Sequence, residues 1–209
     1  MALKTFVKIS NVNNLSDARY CAGMYVDLMG FALEPTDENY LSPQSFKEIT
    51  DWLSGLRYVG EFSTSDPATI LQQVASYEGI EYVQVEKEAY LQELADSGYK
   101  LILSKKVNSN KELKELLPLA RHLKIEDVIL LIDSSDPDSY DNPDWVVIRE
   151  IGQTCDVLLG FGFEADTVES ILETTQVKGI AMKGGSEIKP GIKDFDELAD
   201  TLERLEVED

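Results

Sequence analysis

Two short segments of the sequence combine residue types that could act on a small substrate. In Phe6–Ser10, Lys8 and Ser10 alternate with apolar residues. Alternate side chains of a strand point to opposite faces, so we expect Lys8 and Ser10 on one face, either as a functional pair or as a polar layer of a barrel interior. Asp133 ends a later apolar run. A carboxylate at that point could be a general acid or base, a helix cap, or a solvated group.

Glycines at two further points predict an anion-binding site. Gly162 follows one apolar run, and Gly184 and Gly185 follow the last one, directly after Lys183. Glycine lets backbone N–H groups approach an anion, and a lysine adds a full positive charge. Tight turns that need a positive φ are the alternative explanation. The residues expected to hold a small phosphorylated metabolite are Lys8, Gly162, Lys183, Gly184 and Gly185.

The elements that would position these residues alternate along the chain. Apolar or β-branched runs recur eight times, with longer amphipathic stretches between them. Runs that are almost continuously apolar are typical of parallel strands buried on both faces. The predicted strands are Thr5–Ser10, Val26–Ala32, Arg57–Phe62, Glu81–Val85, Lys100–Ser104, Val128–Asp133, Asp156–Gly160 and Gly179–Met182. The predicted helices begin near Leu15, Pro43, Pro67, Lys87, Asn110, Asp144, Glu164 and Asp194.

This alternation predicts one α/β domain, residues 1–209, folded as a single (β/α)8 TIM barrel. An open doubly wound sheet is the alternative. Two helix starts have a capping residue before a proline, at Ser42-Pro43 and Asp66-Pro67. In a barrel the active site lies at the carboxyl ends of the strands, which is where Ser10, Asp133 and the glycine clusters fall.

Composition limits the partners. Of 209 residues, 39 are acidic and 19 are Lys or Arg, which gives a formal charge of -20. Nucleic acids and anionic membrane surfaces are polyanions, so neither is an expected partner. Without a signal-peptide core or an apolar run of membrane-spanning length, the sequence predicts a cytoplasmic protein. One histidine, His122, and two well-separated cysteines, Cys21 and Cys155, predict no metal site and two reduced thiols that are mostly buried.

The sequence also resembles a known enzyme family. The segment Lys8-Ile9-Ser10-Asn11, followed by Asp17-Ala18, resembles the opening of phosphoribosylanthranilate isomerases. The agreement runs in order to the last predicted helix, and its most distinctive pieces are the YLSP and PGIKD segments. The further matching segments are Gly30-Phe31, Asn39–Pro43, Val59–Phe62, Val83–Val85, Leu130–Asp133, Gly162, Gly185–Glu187 and Pro190–Asp194.

The resemblance implies an Amadori rearrangement of a phosphoribosylated aromatic amine in tryptophan biosynthesis, without a metal or an organic cofactor. In that family a cysteine after strand 1 is the general base and an aspartate after strand 6 is the general acid. An arginine after strand 2 receives the substrate carboxylate, and backbone amides after strands 7 and 8 hold the phosphate. Asp133 matches the acid by position, and Gly162 and Gly185 match part of the phosphate site.

Departures from the family pattern fall at the positions that face the substrate. Ser10 stands in place of the cysteine, and Asn39 in place of the arginine. Glu86 replaces a histidine, Phe161 replaces a glycine of the phosphate loop, and Asn11 replaces the glycine after the cysteine. A serine hydroxyl is a far weaker acid than a thiol and needs an adjacent base, whereas asparagine cannot receive a carboxylate through two parallel charge-assisted bonds.

Two hypotheses of function follow. The first is a weak or inactive isomerase of the family type, with Asp133 and Ser10 in the catalytic positions. A substitute base could then be Glu34, Glu61 or Glu86. The second is a non-catalytic or repurposed barrel that binds a phosphosugar, another small metabolite or a protein partner.

Overall fold

The computed structural model describes residues 2–136, 140, 142–184, 187–189, 192–193 and 196–207. Eight parallel strands close into a barrel in sequential order, with β8 paired to β1. The strands are β1 (Phe6–Ser10), β2 (Leu28–Ala32), β3 (Arg57–Glu61), β4 (Ile80–Val85), β5 (Lys100–Lys106), β6 (Ile129–Asp133), β7 (Val157–Leu159) and β8 (Gly179–Lys183). The (β/α)8 prediction is therefore confirmed, and the open sheet is wrong.

Helical segments follow the strands. The helices are α1 (Leu15–Gly23), α2 (Pro43–Thr50), α3 (Pro67–Val74), α4 (Leu91–Leu94), α5 (Asn110–Ile125), α6 (Trp145–Thr154), α7 (Val168–Thr175) and α8 (Asp196–Arg204). Short 3₁₀ turns at Glu88–Tyr90 and Ala95–Ser97 flank α4, and a small antiparallel pair, β9 (Glu187–Lys189) and β10 (Ile192–Lys193), precedes α8. None of the helices in the described ranges combines the length and apolar character that a bilayer crossing requires.

Helix starts agree with the sequence signals where a capping side chain is present. Ser42 Oγ accepts the N–H of Ser45 at 3.2 Å, and Asp66 Oδ1 accepts the N–H of Ala68 at 3.1 Å. Each cap satisfies an N–H that the first helical turn leaves without a partner, and such caps typically contribute about 1 kcal/mol. The predicted starts at Pro43 and Pro67 are thus confirmed.

Two predicted helix starts differ from the structure, and a third lies outside the described residues. The helix expected near Glu164 begins at Val168, because the N–H of Glu164 donates to Thr167 Oγ1 at 2.9 Å and closes a turn first. The helix expected near Lys87 is instead a single turn of α-helix, α4, between two 3₁₀ turns. Gly98, with φ +85°, ends the second 3₁₀ turn. Asp194, the predicted start of the last helix, is not among the described residues.

The barrel interior is packed with apolar side chains, above which a polar layer lies at the mouth. The buried interior cluster consists of Leu28, Val59, Tyr82, Ile102, Ile129, Leu131, Leu158 and Ala181. Two positions further along four of these strands stand Glu61, Gln84, Asp133 and Lys183. Because strand side chains repeat their direction every second residue, these four share the interior face and lie nearer the carboxyl ends. The polar layer therefore occupies the place where barrels carry active sites.

Closure of the barrel depends on a glycine in β8. The register pairs Phe6 with Gly179 and Ser10 with Lys183. A Cβ atom on Gly179 would lie 1.8 Å from the carbonyl oxygen of Phe6, so only glycine fits against β1 at this point. This close approach brings the end of β8 beside Ser10.

Candidate functional site

Lys8 and Ser10 both face the barrel interior, as the strand alternation predicts. Lys8 is fully buried. Its ammonium lies 2.5 Å from Ser10 Oγ and forms an ion pair with Glu61 Oε1. Ser10 Oγ therefore accepts a hydrogen bond from a cationic group rather than facing a base.

Glu61 reaches Lys8 across β2, at a position where β2 has no side chain. A Cβ atom on Gly30 would lie 2.0 Å from Glu61 Oε1 and 3.0 Å from Lys8 Nζ. The other carboxylate oxygen of Glu61 accepts the N–H of Asn11 at 3.3 Å. Both Glu61 oxygens thus have protein donors, and Gly30 leaves the space for this arrangement.

Asp133 lies at the other side of the mouth and is paired as well. It is 8% exposed, and its Oδ2 lies 3.2 Å from Lys183 Nζ. Its Oδ1 accepts the N–H of Ser134 at 2.8 Å, and Gly160 packs closely against it. Lys183 itself has a side chain that is 62% exposed, so this ion pair lies at the solvent-facing rim.

The glycines expected to hold a phosphate have varied surroundings. The N–H of Gly184 donates to the carbonyl oxygen of Ser10 at 2.9 Å, so it serves barrel closure. Gly162 has φ +79° and lies against the Trp145 ring, which fits the alternative explanation of a tight turn. Gly185 lies outside the described residues. Phe161 is buried and stacks on Tyr140, with ring centroids 5.2 Å apart.

Only one of the three glutamates considered as a substitute base lies beside Ser10. Glu61 is that residue. Glu34 is buried and accepts hydrogen bonds from the 63–65 segment, including the N–H of Ser65 at 2.5 Å. Burial raises the pKa of Glu34, but these hydrogen bonds outweigh it and lower the pKa to about 2. Glu86 is half-exposed and pairs with Lys106 at 3.3 Å.

Asn39 stands where the family pattern has an arginine, and its side-chain amide is hydrogen-bonded to the amide of Asn13. Asn13 Nδ2 donates to Asn39 Oδ1 at 3.3 Å, and the N–H of Asn39 donates to Asp37 Oδ1 at 2.8 Å. These groups are neutral donors and acceptors apart from Asp37. They offer no positive charge to a carboxylate.

Sequence reasoning missed two residues of the interior layer. Gln84 pairs in register with Glu61, and its side-chain carbonyl oxygen is buried without a hydrogen-bond partner among the described residues. Gly30 makes room for the Glu61–Lys8 ion pair. The signal for Gln84 was available, because it is the polar residue between Val83 and Val85 in an otherwise apolar strand end.

In the part of the chain that the structure describes, no group of three or more His, Cys, Asp or Glu side chains could hold a metal ion. His122 lies in the last turn of α5. Cys21 and Cys155 are both buried, as expected. Burial raises the pKa of the Cys155 thiol to about 11, so it remains protonated at neutral pH.

Fold and site together define a (β/α)8 barrel whose mouth carries two groups of polar side chains, Lys8 with Ser10 and Glu61, and Lys183 with Asp133. The sequence model of the N-(5'phosphoribosyl)anthranilate (PRA) isomerase family matches residues 7–204. The chain therefore belongs to the phosphoribosylanthranilate isomerase family.

Known proteins of the family are similar over nearly the whole chain. The N-(5'-phosphoribosyl)anthranilate isomerase of Thermotoga maritima is 27% identical over 197 residues, which cover 92% of this chain and 94% of that protein. The protein of the same name from Gloeothece citriformis is 26% identical, over 95% of this chain and 93% of that protein.

Solved structures agree in fold. The phosphoribosyl anthranilate isomerase of Thermotoga maritima superposes with a TM-score of 0.78 at 22% identity, covering 96% of this chain and 98% of that one. The corresponding enzyme of Thermus thermophilus gives a TM-score of 0.75 at 20% identity, with the same coverage of both chains.

Proposed function

We propose that this chain is a member of the isomerase family that rearranges phosphoribosylanthranilate very slowly or not at all. The observation that carries the proposal is the environment of Ser10. Its hydroxyl oxygen accepts from the Lys8 ammonium, and that ammonium is in turn paired with Glu61. Among the described residues, this hydroxyl is hydrogen-bonded to the Lys8 ammonium and to no base that could remove its proton.

The missing base carries a large kinetic cost. By the family resemblance, the group at position 10 takes a proton from a sugar carbon. A thiol, with an ordinary pKa of about 8.5, can be tuned to a thiolate, whereas serine cannot. Loss of a positioned general base lowers a rate by roughly 10²–10⁴-fold. Glu61 shares the Lys8 ammonium with Ser10, but Lys8 and the Asn11 N–H occupy both of its oxygens.

The surroundings of Asp133 also lower the expected rate, because they disfavour the step that needs a general acid. A general acid must direct a proton at the substrate oxygen. Here Oδ1 faces the N–H of Ser134 and Oδ2 faces the Lys183 ammonium, so both oxygens act as acceptors. With Asn39 in place of the carboxylate-binding arginine, binding of the anthranilate carboxylate is weakened too.

An assay with freshly prepared phosphoribosylanthranilate tests the proposal, with the Thermotoga maritima enzyme as the positive control. We expect the wild-type protein to turn over at least roughly 10²-fold more slowly than that enzyme. The double variant Ser10→Cys, Asn39→Arg should gain rate, because it restores a thiol and a carboxylate receptor. Ser54→Cys, which adds a thiol at an exposed position away from the mouth, should not.

Fast turnover by the wild-type protein that Asp133→Asn abolishes would contradict the proposal. The second function hypothesis, binding without catalysis, stays a prediction, since Lys8, Glu61 and Asp133 all have partners within the protein. Binding of phosphate at the glycine loops and a cytoplasmic location stay predictions.

A further inference from the structure

We propose that Glu61 is a positioning residue that prevents position 10 from carrying a negative charge, and that it thereby disfavours the family reaction independently of the missing cysteine. Glu61 acts through Lys8, which contacts Glu61 and Ser10 at the same time. Because this role rests on the proposed function, it concerns the same site and the same reaction.

The Lys8 ammonium is a positive charge in direct contact with position 10. Its Nζ atom lies 2.5 Å from Ser10 Oγ, and the Lys8 side chain is fully buried. An ammonium at hydrogen-bonding distance favours the ionised form of an acidic group, and burial strengthens this effect because little water screens the charge. Lys8 alone would therefore help a group at position 10 to hold a negative charge, as a thiolate does.

Glu61 supplies the opposing charge at the same point. Its Oε1 forms an ion pair with the Lys8 ammonium, and its side chain is only 10% exposed. Its other oxygen accepts the N–H of Asn11 at 3.3 Å, so two contacts hold the carboxylate in place. Gly30 leaves room for it, since a Cβ atom there would lie 2.0 Å from Glu61 Oε1. An anion at position 10 would give this buried cluster a net negative charge, which the low dielectric disfavours.

Neighbouring lysines do not replace the charge that Glu61 neutralises. Lys183 is opposite Ser10 in the register of β8 and β1, but its ammonium lies 3.2 Å from Asp133 Oδ2. Lys106, at the end of β5, pairs with Glu86 at 3.3 Å. Both ammonium groups thus have a carboxylate partner, and the charge at position 10 depends on the balance between Lys8 and Glu61.

A thiol placed at position 10 measures this balance, because its ionisation reports the local charge. Ser10 is partly exposed, so iodoacetamide can reach a thiol there. Ultraviolet absorbance of the thiolate and the pH profile of alkylation are compared in Ser10→Cys with and without Glu61→Gln. We expect Glu61→Gln to lower the pKa of the introduced thiol and to raise the thiolate fraction at pH 7 roughly tenfold. The wild type, whose Cys21 and Cys155 are buried, gives the background.

Ser10→Cys alone keeps the ion pair, so it tests the same point without leaving Lys8 unpaired. With Glu61 in place, we expect its thiolate fraction at pH 7 to be no higher than that of Ser54→Cys, whose thiol is exposed and lies away from the mouth. The matched control combines Ser54→Cys with Glu61→Gln. Its thiolate fraction should equal that of Ser54→Cys alone.

The isomerase reaction should respond in the same order. In the Ser10→Cys, Asn39→Arg background, adding Glu61→Gln should raise kcat/KM roughly tenfold further, because more of the thiol is in the basic form. Adding Asp51→Asn instead removes the carboxylate partner of Lys47 on the surface of α2 and should leave kcat/KM unchanged.

Three outcomes would overturn the role of Glu61: a thiol in Ser10→Cys that is mostly ionised at pH 7, an unchanged thiolate fraction in folded Ser10→Cys, Glu61→Gln, or a rise in thiolate without any gain in kcat/KM. The first two need no turnover, so they are independent of the isomerase assay. Fast turnover by the wild-type protein contradicts the proposed function, whereas an unchanged thiolate fraction contradicts only the role of Glu61.

Discussion

Glu34 shows how a carboxylate at the end of a barrel strand can be occupied entirely by the fold. It follows β2, is buried, and accepts hydrogen bonds from backbone and hydroxyl groups of residues 63–65, after β3. Burial raises the pKa of this carboxyl, but the hydrogen bonds lower it to about 2, which makes the carboxylate a weak base. Position at the mouth alone therefore does not make a residue catalytic.

Replacing Glu34 tests that assignment. Glu34→Gln removes the charge and turns an amide N–H₂ toward groups that are themselves donors. We expect a loss of roughly 2–3 kcal/mol in the free energy of unfolding at pH 7, measured by urea denaturation. Glu38→Gln, at an exposed position nearby, should stay within about 0.5 kcal/mol of the wild type. Equal stability of the two variants would show that the hydrogen bonds contribute nothing.

The same carboxylate gives stability a defined pH dependence. Its pKa is lowered in the folded protein from 4.5 to about 2, so the unfolded chain binds a proton more readily as the pH falls. The contribution of Glu34 is therefore complete above about pH 4.5 and is lost progressively toward pH 2. Urea denaturation above about pH 4.5 and near pH 2 measures this effect. The difference in free energy of unfolding between the wild type and Glu34→Gln should be smaller at the lower pH. A difference that becomes larger at low pH would contradict this pH dependence.

At the scale of elements, β8 and β1 close the barrel through a contact that tolerates no side chain. In Gly179→Ala, the new methyl group would lie 1.8 Å from the backbone oxygen of Phe6, which cannot swing away as a side chain can. We expect a loss of about 3 kcal/mol or more, since overpacking against backbone is costly. Gly23→Ala is the control, because nothing lies within 4 Å of its added Cβ and stability should stay equal or rise slightly. Thermal unfolding that is unchanged in Gly179→Ala would exclude this role for the glycine.

Most of the elements could be predicted from the sequence because their signals are local. A near-continuous apolar run defines β6, and a capping side chain before a proline defines the start of α3. The alternation in β1 was sufficient to direct Lys8 and Ser10 inward. Where local signals were weak, as in the short segment after β4, the boundary and the helix type were wrong.

The contacts of the site could not be predicted in the same way, because they depend on register between distant strands. Lys8 and Glu61 are 53 positions apart and meet only because Gly30 of the intervening strand lacks a side chain. Lys183 reaches Asp133 past β7, and Gly184 reaches Ser10 only once the barrel has closed. The residue types were visible in the sequence, but their pairing is a property of the closed sheet.

At the scale of the whole molecule, the excess of acidic side chains gives a formal charge of -20, and these side chains repel one another in the compact state. Added salt screens this repulsion, and the screening length falls from about 30 Å at 0.01 M to about 3 Å at 1 M. We expect the Tm to rise by about 3 °C over that range, which corresponds to roughly 1 kcal/mol for a chain of this length. Scanning calorimetry in NaCl and in KCl measures the shift, and the two salts should agree. A Tm that falls steadily with salt would mean that attractive ion pairs outweigh the net repulsion.

The hydrogen bonds of Glu34 also join two loops that are separate in the sequence. The segment after β2 contributes the acceptor, and residues 63–65 after β3 contribute the donors. Loops at the carboxyl end of such barrels are the parts that vary while the strands stay constant. Here a transplant of either loop alone would leave a buried carboxylate or several N–H groups without partners. These two loops are therefore a single module, which must be inherited, exchanged or redesigned as a pair.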